Sequence, residues 1–328
     1  MGNLRIGIPR TLYFYTYFPL WKTFFEELGL DVVISPPTNK IIMDNGIKET
    51  VNDACIPVKV FHGHVMALIN KVDYIFIPRL VSIDGKSTFC PKFLGLPDMV
   101  INSVDNLPAV IVEPLDLSLH RCDFPLFFLR LGKKFTYNIR RIWWAYFKGL
   151  QSWKKYKNQL LEGFRIQVKE GESAEITMVQ GHNWKDGQLK LAVLAYPYVA
   201  YDPFLNINLL KKLEDMGVYL YMPDNISLKD MKKAKRRFTQ DLFWYYSNQV
   251  TRACQHFLYK EPVDGIIHVT AFGCGPDSMV DKLIELEAKN AGMPFLSVTI
   301  DEHTGDVGMQ TRLEAFVDML KMRKGLFE

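Results

Sequence analysis

Short apolar runs alternate with longer amphipathic ones along this chain, the pattern of βα units that feed a mostly parallel sheet. In the first half the strand-like runs are Leu4–Pro9, Asp31–Ser35, Tyr74–Pro78 and Ala109–Glu113. Helical periodicity fills the intervals at about Tyr17–Leu28, Pro57–Asn70 and Phe93–Ser103, and Leu115–Leu161 reads as mostly helical with no clear strand. The rhythm then restarts. Strands are predicted at Leu189–Tyr196, Val218–Tyr221, Gly265–Val269 and Phe295–Ile300, with helices near Pro203–Met216, Lys229–Tyr259, Asp277–Ala291 and Gly308–Arg323. A mostly polar, Gly-containing stretch, Lys169–Gly187, separates the halves. The expectation is an α/β protein of two Rossmann-like lobes. The N-terminal lobe covers 1–168 and includes the helical segment 115–161, the boundary is 169–187, and the C-terminal lobe covers 188–328.

Composition narrows the function classes. A chain of 328 residues, 48% of them hydrophobic, is long enough to bury two cores. Its formal net charge of +4 is small for that length. It does not argue for nucleic acid, which calls for basic charge concentrated on one face. The helix at 139–161 mixes Lys and Arg with Trp and Phe, but Ile139, Trp143, Phe147 and Leu150 recur at helical spacing. That spacing predicts a buried aromatic face with its cations in water, rather than an RNA-binding or interfacial helix. Lys232–Arg237 reads as a solvated face for the same reason. No apolar run reaches the roughly 18–20 residues that span a bilayer. The N-terminus has no signal-peptide core, and Ile6 stands where a myristoylation signal wants Ser or Thr. A cytoplasmic protein with no membrane or nucleic-acid partner is expected.

The five cysteines are widely spaced and odd in number, which disfavours a disulfide framework and leaves metal binding, catalysis or burial. In open parallel sheets ligands bind in loops beyond the carboxyl ends of strands. Cys274 occupies such a loop, between Gly273 and Gly275 and just before Pro276, near a helix start that favours thiolate. Cys55 and Cys90 also precede helix starts, each followed closely by a Pro and a Lys: Pro57 and Lys59, Pro91 and Lys92. Cys122 and Cys254 read as packing residues or free thiols. Zinc held by three thiols and a histidine competes with iron–sulfur, although no Cys-x-x-Cys pair is present and His62 and His64 point to different sides of a helix. Spacing leaves the two metals open. In the loop Asp301–Gly305, Glu302 and His303 are candidates for proton transfer, against the alternative that the loop only caps the next helix. Asp202, after the Tyr196–Tyr198 junction, reads equally as an N-cap.

Four segments carry a family resemblance: Ile6–Arg10, Ala54–Lys59 with His62 and His64, Phe272–Ser278, and Ile300–Gly305. They resemble the acyl-CoA dehydratase activase-related proteins of the 2-hydroxyacyl-CoA dehydratase and double-cubane-cluster superfamily, over nearly the whole chain. The resemblance implies a two-lobed α/β fold with the cluster site in the crevice. It implies three cysteine ligands, carried over to Cys55, Cys90 and Cys274, around a [4Fe–4S] cluster with Gly273 and Gly275 beside it. It also implies low-potential electrons from a separate ATP-hydrolysing activator, and either dehydration of an acyl-CoA ester or reduction of a small molecule. A double-cubane cluster needs six thiolates, so it would require two chains, as a homodimer or with a related second subunit. Lys59 and Lys92 are expected to offset cluster charge. The chain has neither a P-loop nor a Gly-x-Gly-x-x-Gly motif after a strand, so ATP hydrolysis falls to the partner. The competing readings are a non-enzymatic cluster-binding protein for assembly, sensing or maturation, and a metal-free α/β binding module.

Overall fold

The computed structural model describes residues 3–168, 176–180, 185–233 and 241–326. The chain divides into two compact units, the first holding the residues up to Asn158 together with Phe243–Tyr245 and the second most of the remainder.

In the first unit, strands β1 (Arg5–Ile8), β2 (Asp31–Ile34), β3 (Tyr74–Phe76) and β5 (Ala109–Ile111) form a parallel sheet in the order β2-β1-β3-β5. Helices α1 (Phe14–Glu27), α2 (Lys40–Lys48), α3 (Ile56–Met66), α4 (Pro91–Leu94) and α5 (Leu96–Ser103) connect them. A second, two-stranded parallel sheet joins β4 (Arg79–Ser82) to β6 (Pro114–Asp116). Helices α6 (Asp123–Lys133) and α7 (Ile139–Leu161) follow. The core is unusually aromatic, with Trp21 and Phe25 of α1 set edge-on against Phe76 of β3. Such pairs add about 0.5–1.5 kcal/mol beyond the area they bury.

Helices α2 and α3 cross almost backbone to backbone. A Cβ added at Gly46 would overlap the carbonyl oxygen of Lys59, and one at Gly63 would overlap that of Ile42. Only glycine permits this approach. It fixes the direction of α3, whose N-cap is Cys55.

Strands β7 (Phe164–Val168) and β8 (Ile176–Gln180) form a separate pair. In the second unit β9 (Lys190–Ala195), β10 (Tyr219–Tyr221), β11 (Gly265–Ala271) and β12 (Phe295–Ile300) form a parallel sheet ordered β10-β9-β11-β12. Its helices are α8 (Pro197–Ala200), α9 (Leu209–Asp215), α10 (Leu228–Lys233), α11 (Tyr245–Tyr259), α12 (Gly275–Asn290) and α13 (Asp306–Lys324). All seven residues of β11 are buried, as expected of a central parallel strand covered on both faces. Both main sheets place their first strand between the second and third. The strand order therefore reverses between β1 and β3 in one unit and between β9 and β11 in the other, where ligands of doubly wound sheets bind.

The α/β, mostly parallel, Rossmann-like reading holds, with local corrections. Leu115–Leu161 is not strand-free, because Leu115 and Asp116 belong to β6, too short to show a period. Strand β4 forms in the segment expected to be a loop after Tyr74–Pro78, and α2 is a helix beyond those expected. The expected helix over Pro203–Met216 starts only at Leu209, since Ile207 and Asn208 are both left-handed at φ 55°. The expected helix over Lys229–Tyr259 is interrupted. Asp241–Trp244 is not helical, Trp244 bridges Thr88 in parallel, and 234–240, with most of the run Lys232–Arg237, lies outside the described residues. On α7 the buried stripe is Ile142, Ala145, Tyr146, Gly149, Tyr156 and Leu160, whereas Ile139 and Phe147 are 50% and 62% exposed. The helix is rotated from the face its aromatics predicted. Its small residues Ala145 and Gly149 let it lie close to the core, Gly149 against the carbonyl of Leu20.

Candidate functional site

Cys55, Cys90 and Cys274 each occupy the N-cap of a helix, α3, α4 and α12, in extended backbone with ψ of 153°, 158° and 97°. A proline stands in the first turn every time, at Pro57, Pro91 and Pro276, where its missing N–H costs nothing and its fixed φ suits the helix. In each case the N-cap carbonyl closes the first turn: Val58 N–H donates to Cys55 O at 2.9 Å, Phe93 N–H to Cys90 O at 2.9 Å and Ser278 N–H to Cys274 O at 3.0 Å.

The first unit brings two of these thiols into electrostatic reach of each other. Burial pushes the Cys55 thiol up, the Val58 amide and the Lys92 ammonium counter it, and the Cys90 sulfur pushes it further up. Burial likewise raises Cys90 against the amides of Phe93 and Lys92 and the Lys92 charge. Lys92 is held nearby by a hydrogen bond from Nζ to the Asp53 carbonyl. Helix N-termini favour thiolate, but here desolvation wins, so the metal-free pair stays protonated and a metal would have to displace those protons. Lys59 is buried one turn into α3. Cys274 lies in the second unit. Gly273 before it has φ +75°, a conformation that favours glycine, and a Cβ at Gly275 after it would meet nothing within 4 Å. Cys122 is exposed and Cys254 is buried in α11. Among the described residues, no group of three or more His, Cys, Asp or Glu side chains is gathered as a metal site. The donor chemistry of Cys55 and Cys90 nonetheless fits a soft metal centre: two thiols from separate loops, beside one cation.

Two buried histidines, His268 and His64, have partners that sequence spacing does not show. In the second unit His268 of β11 is fully buried between two carboxylates of α12. Its Nδ1–H donates to Asp281 Oδ1 at 2.8 Å, and Nε2 lies 3.3 Å from Asp277 Oδ1. The second contact is an ion pair without hydrogen-bond alignment, so both Asp277 oxygens lack a hydrogen-bond partner while fully buried. Ser297 Oγ–H also donates to Asp281, at 2.7 Å. Burial alone would depress the His268 pKa, but Asp277 and then Asp281 outweigh it and raise the imidazole to about 9. The available signal was a His inside an apolar strand followed by two Asp at i, i+4 spacing on the next helix.

In the first unit His64 is also fully buried, but uncharged. Nδ1 pairs with Ser35 Oγ at 2.8 Å and Nε2 with Thr38 Oγ1 at 2.9 Å, and the Arg10 N–H donates to the same Ser35 oxygen at 2.8 Å. Both ring nitrogens are occupied, which removes His64 as a zinc ligand. His62 Nδ1–H donates to Val58 O at 2.8 Å. Burial first, then the Arg10 charge, lowers the His64 pKa to about 3, below the 6.5 of an unfolded histidine. The neutral ring therefore contributes stability that is present above pH 6.5 and lost as pH falls toward 3. In His64→Gln the urea midpoint is expected to decline less between pH 7 and about pH 4 than in the parent chain. Parallel pH profiles would remove His64 from the acid response.

The loop after β12 turns on Asp301. Its carboxylate accepts Thr304 Oγ1–H at 2.7 Å and His303 N–H at 2.9 Å, and the Thr304 bond, foremost, holds it below the usual carboxylate range. Glu302 and His303 are exposed, and Gly305 caps α13. Asp202 accepts the amides of Phe204 and Leu205 at 3.0 and 3.1 Å, fastening a turn rather than a helix.

Residues 5–226 match the family described as the CoA enzyme activase uncharacterised domain, more than half of the chain. The chain belongs to this family. Residues 211–320 match the 2-hydroxyglutaryl-CoA dehydratase D-component, so the activase-domain match contains Cys55 and Cys90 and the dehydratase match contains Cys274, Glu302 and His303. This member of the activase-domain family is therefore activase-related and 2-hydroxyacyl-CoA dehydratase-like, as its motifs suggested. No curated protein matches it. Among the described residues no helix is long and apolar enough to cross a membrane.

Proposed function

We propose that this chain is an iron–sulfur redox protein of the dehydratase-like class, in which Cys55, Cys90 and Cys274 hold one [4Fe–4S] cluster. The observation that carries the reading is the Cys55–Cys90 pair: two thiols from separate loops, each at a helix N-cap followed by proline, sharing the Lys92 cation. The cluster would supply low-potential one-electron chemistry. The chain's own residues would ionise to thiolates, offset negative charge through Lys92, and admit the group closely at Gly273 and Gly275. Glu302 and His303, exposed on their loop, are proposed to carry protons to or from a substrate, an acyl-CoA ester or a small reducible molecule. Electrons would come from an ATP-hydrolysing activator in the cytoplasm. Five cysteines cannot provide six thiolates, so a double-cubane cluster would need a second chain.

Anaerobic reconstitution followed by iron and sulfide counts and electron paramagnetic resonance of the reduced protein tests this. About four irons and four sulfides per chain are expected, with loss of most of that iron in Cys55→Ser, Cys90→Ser or Cys274→Ser. Stoichiometric zinc without sulfide, or an unchanged cluster in Cys274→Ser, would sink the assignment.

A further inference from the structure

The chain's small net charge conceals a segregation. Between residues 124 and 161 there are nine Lys and Arg and no Asp or Glu, so the other 31 cations face all 36 acids. The segment is therefore +9 and the rest of the chain is −5. Three of those nine cations, Arg140, Lys154 and Lys155, line one outward face of α7. Arg140, Trp144, Phe147, Gln151, Lys154 and Lys155 recur at i, i+4, i+7, i+11, i+14 and i+15, and all are exposed, Trp144 at 57%. With 1.5 Å per residue the stripe runs roughly 23 Å.

We propose that this face of α7 is the docking surface for an acidic face of a partner protein. Three observations select that occupant. A lipid surface would need an apolar face to enter, but the apolar stripe of α7 is already packed in the core of its unit and only two of the six outward residues are apolar. Single-stranded nucleic acid would need a series of open aromatic faces for stacking, but Lys148 Nζ lies 4.8 Å over the Trp144 ring, which leaves Phe147 as the one uncovered aromatic of the stripe. What remains is a cationic helix face on which one exposed aromatic, Trp144, is anchored. The Trp144 indole N–H donates to Glu27 at 3.1 Å, and Arg141 Nε to the Glu27 carbonyl at 3.0 Å. Arg, Trp and Phe are the residue types enriched at protein interfaces, and concentrated charge of one sign steers a partner of the other. The proposal does not depend on the cluster.

The test uses the purified full chain with three probes: an oligoglutamate peptide, an oligouridylate of equal length, and phosphatidylserine-containing vesicles. Oligoglutamate is expected to bind at low salt, to weaken roughly tenfold in the double variant Lys154→Glu/Lys155→Glu, and to weaken further as salt is added. Phe147→Ala should reduce affinity a few-fold without changing the salt slope, because it removes contact area and no charge. Unaltered melting of both variants checks that the fold is intact. Failure of oligoglutamate to bind, or equal affinity for the charge-reversed variant, overturns the proposal. Tighter binding of oligouridylate, or co-sedimentation with the vesicles, also overturns it and reassigns the face to nucleic acid or lipid.

Discussion

His268→Gln is expected to destabilise the second unit by about 3–5 kcal/mol, the usual result of removing one member of a buried ionic set and leaving the others uncompensated. Asp277 and Asp281 would then share a dry site with no cation between them, and Asp277 has no hydrogen bond to fall back on. The double variant His268→Gln/Asp277→Asn should recover part of that loss, because it removes the unpaired carboxylate as well. A double variant no more stable than His268→Gln alone would show that Asp277 is not the charge partner. The pH dependence follows from the same geometry. The imidazole pKa is raised from 6.5 to about 9 on folding, so its contribution is fully present below pH 6.5 and is lost as pH rises through 9. The parent chain should therefore lose more denaturant stability between pH 7 and 9 than His268→Gln does. Because Asp277 lies in the first turn of α12, faster amide exchange around Cys274 should accompany the loss.

Gly63→Ala is expected to cost about 3 kcal/mol, at the upper end of overpacking penalties, since the added methyl meets the rigid carbonyl of Ile42 rather than a movable side chain. Gly46→Ala should behave alike through the Lys59 carbonyl. Either change pushes α2 away from α3, whose N-cap is Cys55, so faster Cys55 alkylation by iodoacetamide should accompany the loss of stability. Gly275→Ala is the control: its Cβ enters open space, and helix propensity predicts no destabilisation. Urea denaturation decides the matter. A Gly63→Ala chain as stable as the parent would rule out the close crossing.

Long elements with a clear period were legible in the sequence. The strand runs at Leu4–Pro9 and Gly265–Val269 and the helix at Asp277–Ala291 all appear near their expected positions, because short continuous apolar runs mark buried parallel strands and helical periodicity marks a one-sided helix. Three-residue strands such as β6 carry no period, and they form only because β4 offers a paired edge. On α7 the aromatic spacing pointed to the wrong face. Aromatics are wanted both in cores and at surfaces, so their recurrence alone does not say which side packs. The helix-start setting of the cysteines could be read from the prolines that follow them. The dominance of desolvation over the helix terminus at Cys55 and Cys90 could not, because burial is a property of the whole unit.

By itself the sequence determined the α/β class, the two rounds of βα rhythm, the motifs that mark an activase-related, dehydratase-like chain, and the thiols that stand at helix starts. These depend on residues near one another in the chain, where spacing and chemistry act directly. Tertiary structure alone decided that Cys55 and Cys90, 35 positions apart, share one cation, that His268 sits charged between two carboxylates while His64 sits neutral between two hydroxyls, and that α7 turns its basic aromatic stripe outward. The reason is physical. The charge of a buried group and the exposure of a helix face depend on what the fold packs against them, and those neighbours come from distant parts of the chain.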